Sequence, residues 1–183
     1  MAKVLVPLAA GCEELEAVTI VDLLRRAGIE VVTAGLQPGI IKASRGTQLV
    51  PDALLDSVLR DEFDMLVLPG GMPGARHLKE DGRVQALLKR LAGEGKYTAA
   101  ICAAPMALAE AGLLSGRKAT AYPGVLEELG LPDVELQNQA VVKDGKVITS
   151  RGPGTAMDFA LELIEILAGR DKRQEVEAGL ARY

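Results

Sequence analysis

The chain has 183 residues, 49% apolar and 25% charged, which suits one soluble domain spanning residues 1–183. Twenty-one basic against 25 acidic residues leave a net charge of −4, which argues against a dedicated nucleic-acid site. Two cysteines and one histidine, His77, exclude a disulfide framework and a zinc cluster and leave free thiols that suit a reducing cytoplasm.

The pattern in chain order is strands alternating with helices, an α/β class with a mainly parallel sheet. With aromatics at 3%, the core must consist of Ala, Val, Leu and Ile. The run Lys3 to Leu8 reads as a strand, and a helix follows from about Glu13 to Ala27 with Gly28 as its stop. Leu15, Val18, Val21 or Asp22, and Leu24 or Arg25 follow its 3.6-residue period. Glu13, Glu14 and Glu16 crowd the first turn, where the helix dipole favours negative charge. Glu30 to Ala34 is a second strand, and Ile40–Lys42 with Thr47–Val50 suggests a short hairpin. Asp64 to Leu68 and Tyr97 to Ile101 read as buried parallel strands, with helical segments over 74–94 between them. A helix at Pro105 to Ala111, a strand at Lys118 to Ala121 and a hairpin around Asp144-Gly145 follow. An apolar helix over Gly154 to Leu167 and a polar one from about Lys172 close the chain. No segment reads as a secretory leader, and no apolar run approaches the roughly 20 residues of a membrane span.

Ligands of an open parallel sheet bind where strand C-terminal ends meet helix N-termini. Three unusual segments fall there: residues 9–16, Leu68-Pro69-Gly70-Gly71, and 99–105 around Cys102. Cys102 lies between a buried strand and a helix and is flanked by small residues, the position of a nucleophile elbow. N–H groups at the helix start favour a thiolate there. The same context also suits a small core residue. Gly70-Gly71 lets backbone N–H groups approach a reacting oxygen, or simply ends a strand. Met72 breaks any dinucleotide fingerprint, and no phosphate-binding loop occurs, so no nucleotide cofactor or metal is expected. Glu16 is either an exposed first-turn glutamate or a buried, protonated carboxyl donating to the sulfur, because two adjacent anions repel. His77 reads as a surface residue within range of the site, and Cys12 as an incidental thiol, with a resolving disulfide as the alternative.

Five ordered segments together resemble the ThiJ/PfpI family, in its Parkinson disease protein 7-like, protein deglycase branch and its bacterial members. They are Gly11 to Glu16, Val21 to Gly28, Val67 to Gly71, Ala99 to Pro105 and Thr149 to Thr155. The resemblance implies a flavodoxin-like three-layer sandwich and a homodimer. It implies that Cys102 is the reactive, oxidisable nucleophile, that Glu16 hydrogen-bonds to it, and that N–H groups of Gly71 and Ala103 surround the thiol. It places Arg45 near the dimer interface, approaching the partner's site. Two departures matter. Ala103 stands where some members carry a histidine after the nucleophile, which disfavours a peptidase. Tyr122 stands where the branch carries an accessory histidine, so Glu16 must carry the proton transfers, with Tyr122 as a hydrogen-bond donor.

The function implied is a cofactor-free, cysteine-dependent deglycase or glyoxalase acting on methylglyoxal or glyoxal adducts and glycated proteins, in carbonyl and oxidative stress defence. A redox-sensing holdase chaperone governed by oxidation of Cys102 is the alternative. A domain without chemistry is the third reading.

Overall fold

Strand β1 (Lys3–Leu8) is buried from Val4 onward, as a strand covered on both faces must be. The computed structural model describes residues 1–182. After β1 come α1 (Glu14–Arg26), β2 (Glu30–Gly35), the hairpin β3–β4 (Ile41–Lys42, Gln48–Leu49), β5 (Ala53–Leu54) and α2 (Leu55–Val58). Then follow β6 (Met65–Leu68), α3 (Gly74–Glu80), α4 (Gly82–Gly93), β7 (Tyr97–Ile101) and α5 (Pro105–Glu110). The chain ends with β8 (Lys118–Ala119), β9 (Glu135–Leu136), the hairpin β10–β11 (Val141–Asp144, Val147–Ser150), a 3₁₀ turn (Pro153–Thr155), α6 (Ala156–Ala168) and α7 (Arg170–Gly179).

The main sheet has seven strands in the order β10-β11-β7-β6-β1-β2-β5, parallel except for the β10–β11 pair. Its inner run β2-β1-β6-β7-β11 is the flavodoxin-like 2-1-3-4-5 order. Alternation along each strand divides the core in two. Val4, Val6, Met65, Val67 and Ile148 face α1 and α6, while Leu5, Leu66, Leu68 and Ala100 face α2 to α5. Helices on both faces make the three layers anticipated from the sequence. Each fully buried large side chain, such as Leu24 or Phe159, contributes about 1.5–3 kcal/mol. Exposed ion pairs contribute about 0–1 kcal/mol each, so the two apolar layers hold the sandwich.

Three expectations change. The inner face of α1 is Glu16, Ala17, Ile20, Leu23 and Leu24, whereas Leu15 and Val18 are half-exposed. The helix is apolar on two sides, and it is the side carrying Glu16 that packs on α6 and the sheet. β8 ends at Ala119 rather than Ala121, because Thr120 N–H donates to the Thr149 hydroxyl and Tyr122 N–H to the Cys102 carbonyl. β5, α2 and β9 have no counterpart in the sequence reading. The helical stretch over 74–94 divides at Asp81, whose extended backbone and carboxylate cap α4 through the N–H groups of Arg83 and Val84.

Candidate active site

β1 sends its chain to β2 on one side, while its other neighbour is β6, so the loops after β1, β6 and β7 open at the sheet's switch point. Cys102 follows β7 directly. Its φ of +64° is left-handed, a conformation costing a non-glycine residue about 1–3 kcal/mol. Two hydrogen bonds impose it. Cys102 N–H donates to the Ser150 carbonyl at 3.0 Å, and the Cys102 carbonyl accepts from Tyr122 N–H at 2.8 Å. The sharp turn that small neighbours allow is therefore present, with left-handed strain at this residue.

Glu16 lies on the first turn of α1 and is fully buried. Its Oε2 accepts from Gly70 N–H at 2.8 Å. Its Oε1 is buried without a hydrogen bond of good geometry, and the polar group that interacts with the carboxyl is the Cys102 thiol. Burial pushes the Glu16 carboxyl up, to about 7, against the opposing Gly70 N–H and Cys102. Burial, then the charge and hydrogen bonding of Glu16, push the Cys102 thiol up to about 12, against N–H groups of Gly71 and Ala103. The two groups titrate as one pair. Both shifts have one meaning: a pair carrying no proton is expensive, and one proton stays between carboxyl and sulfur through neutral pH.

Glycine is required at two positions. A Cβ at Gly70 would lie 2.6 Å from Cys102 Cβ and 2.8 Å from Glu16 Oε2. Gly71 has φ +85°, and its Cβ would lie 2.3 Å from Glu13 N. The loop thus passes between carboxyl and thiol at a distance that only bare backbone permits. Glu13 N–H in turn donates to the Gly70 carbonyl at 2.9 Å, tying α1 to the β6 loop.

The other sequence candidates fall as follows. Ala103 is buried beside the thiol, its N–H turned to the sulfur. Tyr122 is 52% exposed; its N–H holds the Cys102 carbonyl and its ring lies where a Gly152 side chain would be. Arg45 does not touch Cys102 of the same protomer: its side chain is 81% exposed, with Nε 3.9 Å from Glu13. His77 Nδ1 lies 3.1 Å from the Ala10 carbonyl, so it braces the loop after β1 and makes no contact with the thiol. Cys12 and Cys102 are both free and buried, and burial pushes the Cys12 thiol up to about 11. Sequence reasoning missed Ser150, whose carbonyl sets the elbow, and Glu14, which anchors the β3–β4 hairpin. Glu14 accepts from the N–H groups of Arg45 and Thr47 and from the Ser44 hydroxyl. Among the described residues no group of His, Cys, Asp or Glu gathers as a metal site, and no helix is long and apolar enough to cross a membrane.

Residues 2–166 match the model of the DJ-1/PfpI family. Protein dj-1beta of Drosophila melanogaster is 48% identical over 177 residues, 96% of this chain and 95% of that protein. Its crystal structure superposes with a TM-score of 0.92 at 46% identity, covering 98% of this chain and 97% of that one. The structure of oxidized Toxoplasma gondii DJ-1 superposes with a TM-score of 0.94 at 40% identity over the whole of both chains. A Caenorhabditis elegans protein named glutathione-independent glyoxalase DJR-1.2 is 36% identical over 160 residues, 87% of this chain and 85% of its own. Cys102 at the elbow, Glu16 beneath it and the match over most of the chain lead to one conclusion: the chain belongs to the DJ-1/PfpI (ThiJ/PfpI) family.

Proposed function

We propose that the protein is a cysteine-dependent glyoxalase or deglycase that converts methylglyoxal, or its adducts on proteins, to lactate in carbonyl and oxidative stress defence. The observation that carries this reading is a buried carboxyl sharing a proton with an elbow thiol, with N–H groups of Gly71 and Ala103 turned to the sulfur. The relative named as a glyoxalase supports the class of activity.

The one-proton pair reacts as the tautomer in which the proton has passed from sulfur to Glu16, leaving the charge on sulfur. Cys102 Sγ adds to the aldehyde carbon, and the aldehyde oxygen takes the Glu16 proton while the N–H groups of Gly71 and Ala103 hold its developing charge. The Glu16 carboxylate then removes the former aldehyde hydrogen and returns a proton to the neighbouring carbon. Carbon 1 is oxidised and carbon 2 reduced within one molecule, so no external redox partner enters. The product is a lactoyl thioester on Cys102. Water cleaves it, giving lactate and the free thiol. The Tyr122 phenol is a further donor at the mouth. Glyoxal runs the same course to glycolate.

The test is turnover of methylglyoxal by wild type, Cys102→Ala and Glu16→Gln. The first variant is expected to fall to background, and the second to lose about a hundredfold to ten-thousandfold in kcat. Wild-type kcat/KM should rise as pH passes about 7, where the pair loses its first proton. Wild-type turnover in either variant sinks the reading.

The same donors favour a second reading, a redox-sensing chaperone. Two equivalents of peroxide convert the thiolate to sulfinate, releasing two waters, and Glu16 with the two N–H groups can bind its oxygens. A mass gain of two oxygens, lost in Cys102→Ser, supports it; unchanged mass removes it. The free thiols fit the cytoplasm. A homodimer is supported by half-exposed Leu15 and Val18 on α1 and exposed Val50 beside a cavity of about 400 Å³. On this reading Arg45, on the hairpin next to that face, would approach the partner's site.

A further inference from the structure

We propose that Arg151 binds a carboxylate on the substrate, so that the preferred substrates are 2-oxoaldehydes whose ketone substituent carries a carboxylate. The inference rests on the reaction class proposed above and names its substrate more narrowly.

Ser150 pairs with Ile101 across β11 and β7, so Arg151 is the residue beside Cys102 on the neighbouring strand. The bond from Cys102 N–H to the Ser150 carbonyl fixes that proximity at 3.0 Å. An arginine side chain is long enough to bring its guanidinium to a group held on the Cys102 sulfur. Arg151 is half-buried. Every other half-buried lysine or arginine among the described residues holds a carboxylate, from Lys3 on Asp61 and Arg83 on Asp81 to Arg117 on Asp144 and Arg173 on Glu165. Arg151 alone among them has no ion pair. It has no carboxylate partner among the described residues of the protomer, and it stands next to the one thiol in a strained turn. An arginine fork without a carboxylate partner is free to bind one in a paired, charge-assisted geometry.

The neighbouring wall agrees. Gly152 follows Arg151, and the Tyr122 ring lies against it, 3.3 Å from where a Cβ would stand. Tyr122 N–H is bound to the Cys102 carbonyl, so Tyr122 and the Ser150-Arg151 backbone flank Cys102 on either side. The phenol has no hydrogen-bond partner among the described residues and can donate to the same anion. A monoanion is favoured over a dianionic phosphate. Glu13 lies close enough to Glu16 to disfavour its ionisation, so a second negative charge on the ligand would meet further repulsion.

Two measurements test this. The first compares kcat/KM for methylglyoxal and for the 2-oxoaldehyde bearing a propanoate tail in place of the methyl group. Wild type should prefer the tailed substrate. Arg151→Gln should lower that preference about tenfold, the worth of one charge-assisted hydrogen bond, and Arg151→Lys should keep part of it. The second needs no turnover: alkylation of Cys102 by iodoacetate relative to iodoacetamide, two reagents of similar shape and different charge. Referenced to the same ratio for glutathione, it should fall in Arg151→Gln by a similar factor. Each ratio is internal to one protein, so a general loss of activity does not imitate the effect. Ratios unchanged in Arg151→Gln overturn the proposal. Wild type that turns over neither aldehyde overturns the reaction class, and the alkylation ratio still decides the role of Arg151.

Discussion

Glu16 is the residue whose environment differs most from what its type prefers. A glutamate on the first turn of a helix gains from the dipole when it is exposed and charged. Here it is fully buried, and its carboxyl is pushed up from 4.5 to about 7 by burial. The folded protein therefore keeps a proton that the unfolded chain releases above pH 4.5. That stabilisation is complete below pH 4.5 and is lost as pH rises through about 7. The shift corresponds to about 3 kcal/mol, or roughly 6–12 °C for a domain of this size. Wild type should thus lose more thermal stability than Glu16→Gln when calorimetry at about pH 5 is repeated at about pH 8, with a difference of that order. Parallel pH dependences in the two proteins would show that the carboxyl ionises as freely as in the unfolded chain. Release of that proton leaves the one-proton pair that the proposed chemistry uses, so the burial of this residue sets both the pH dependence of stability and that of turnover.

At the scale of elements, α1 and the β3–β4 hairpin form one unit. The Glu14 carboxylate, despite some opposing desolvation, is drawn down to about 2 by hydrogen bonds from its own backbone N–H, from those of Arg45 and Thr47, and from the Ser44 hydroxyl. Ser44 N–H also donates to the Cys12 carbonyl at 2.8 Å, and Gly11 N–H to that of Lys42 at the same distance. Glu14→Gln removes the charge that gathers these donors. Amide exchange at Arg45 and Thr47 should accelerate about tenfold or more, as for bonds to a charged acceptor, while α6 amides stay protected. Unchanged exchange at the hairpin would mean that its own turn, not Glu14, holds it. This latch is invisible in the sequence because its partners lie about thirty residues apart and neither end has a local signature. What was legible has a local cause. β1, β6 and β7 are uninterrupted apolar runs, and Cys102 and Gly70-Gly71 stand at their ends. β5 and β9 are two-residue strands with no run to read. α1 misled the period because Leu15 and Val18 give it a second apolar side. Whether Glu16 faced the sulfur or the solvent depended on which side α6 covers, which is a tertiary fact.

For the whole molecule, that second side of α1 is the surface on which the proposed dimer would form. Leu15 and Val18 are each 50% exposed and Val50 is 78% exposed. Val18, Val21, Leu49 and Val50 border the cavity of about 400 Å³ between α1 and the hairpin, with Asp22, Arg25 and Asp52 at its edge. A stable interface takes about 800 Å² from each partner, more than these apolar side chains supply. The polar edge must therefore lie inside the contact, where Asp52 is already held by Arg25 at 2.7 Å and by the Thr33 hydroxyl, leaving no unpaired carboxylate to bury. A second copy related by a two-fold axis would bring α1 against α1 and set each hairpin, with Arg45, beside the other protomer's elbow. Wild type should accordingly run in light scattering at twice the 19.3 kDa of one chain. Val18→Glu places two like charges near the axis and should shift the protein to monomer at micromolar concentration, with the fold retained by circular dichroism. Loss of turnover in that monomer, recovered as concentration drives association, would tie the partner's Arg45 to the site. A wild-type protein that scatters as a single chain would leave α1's outer face without the partner argued for it.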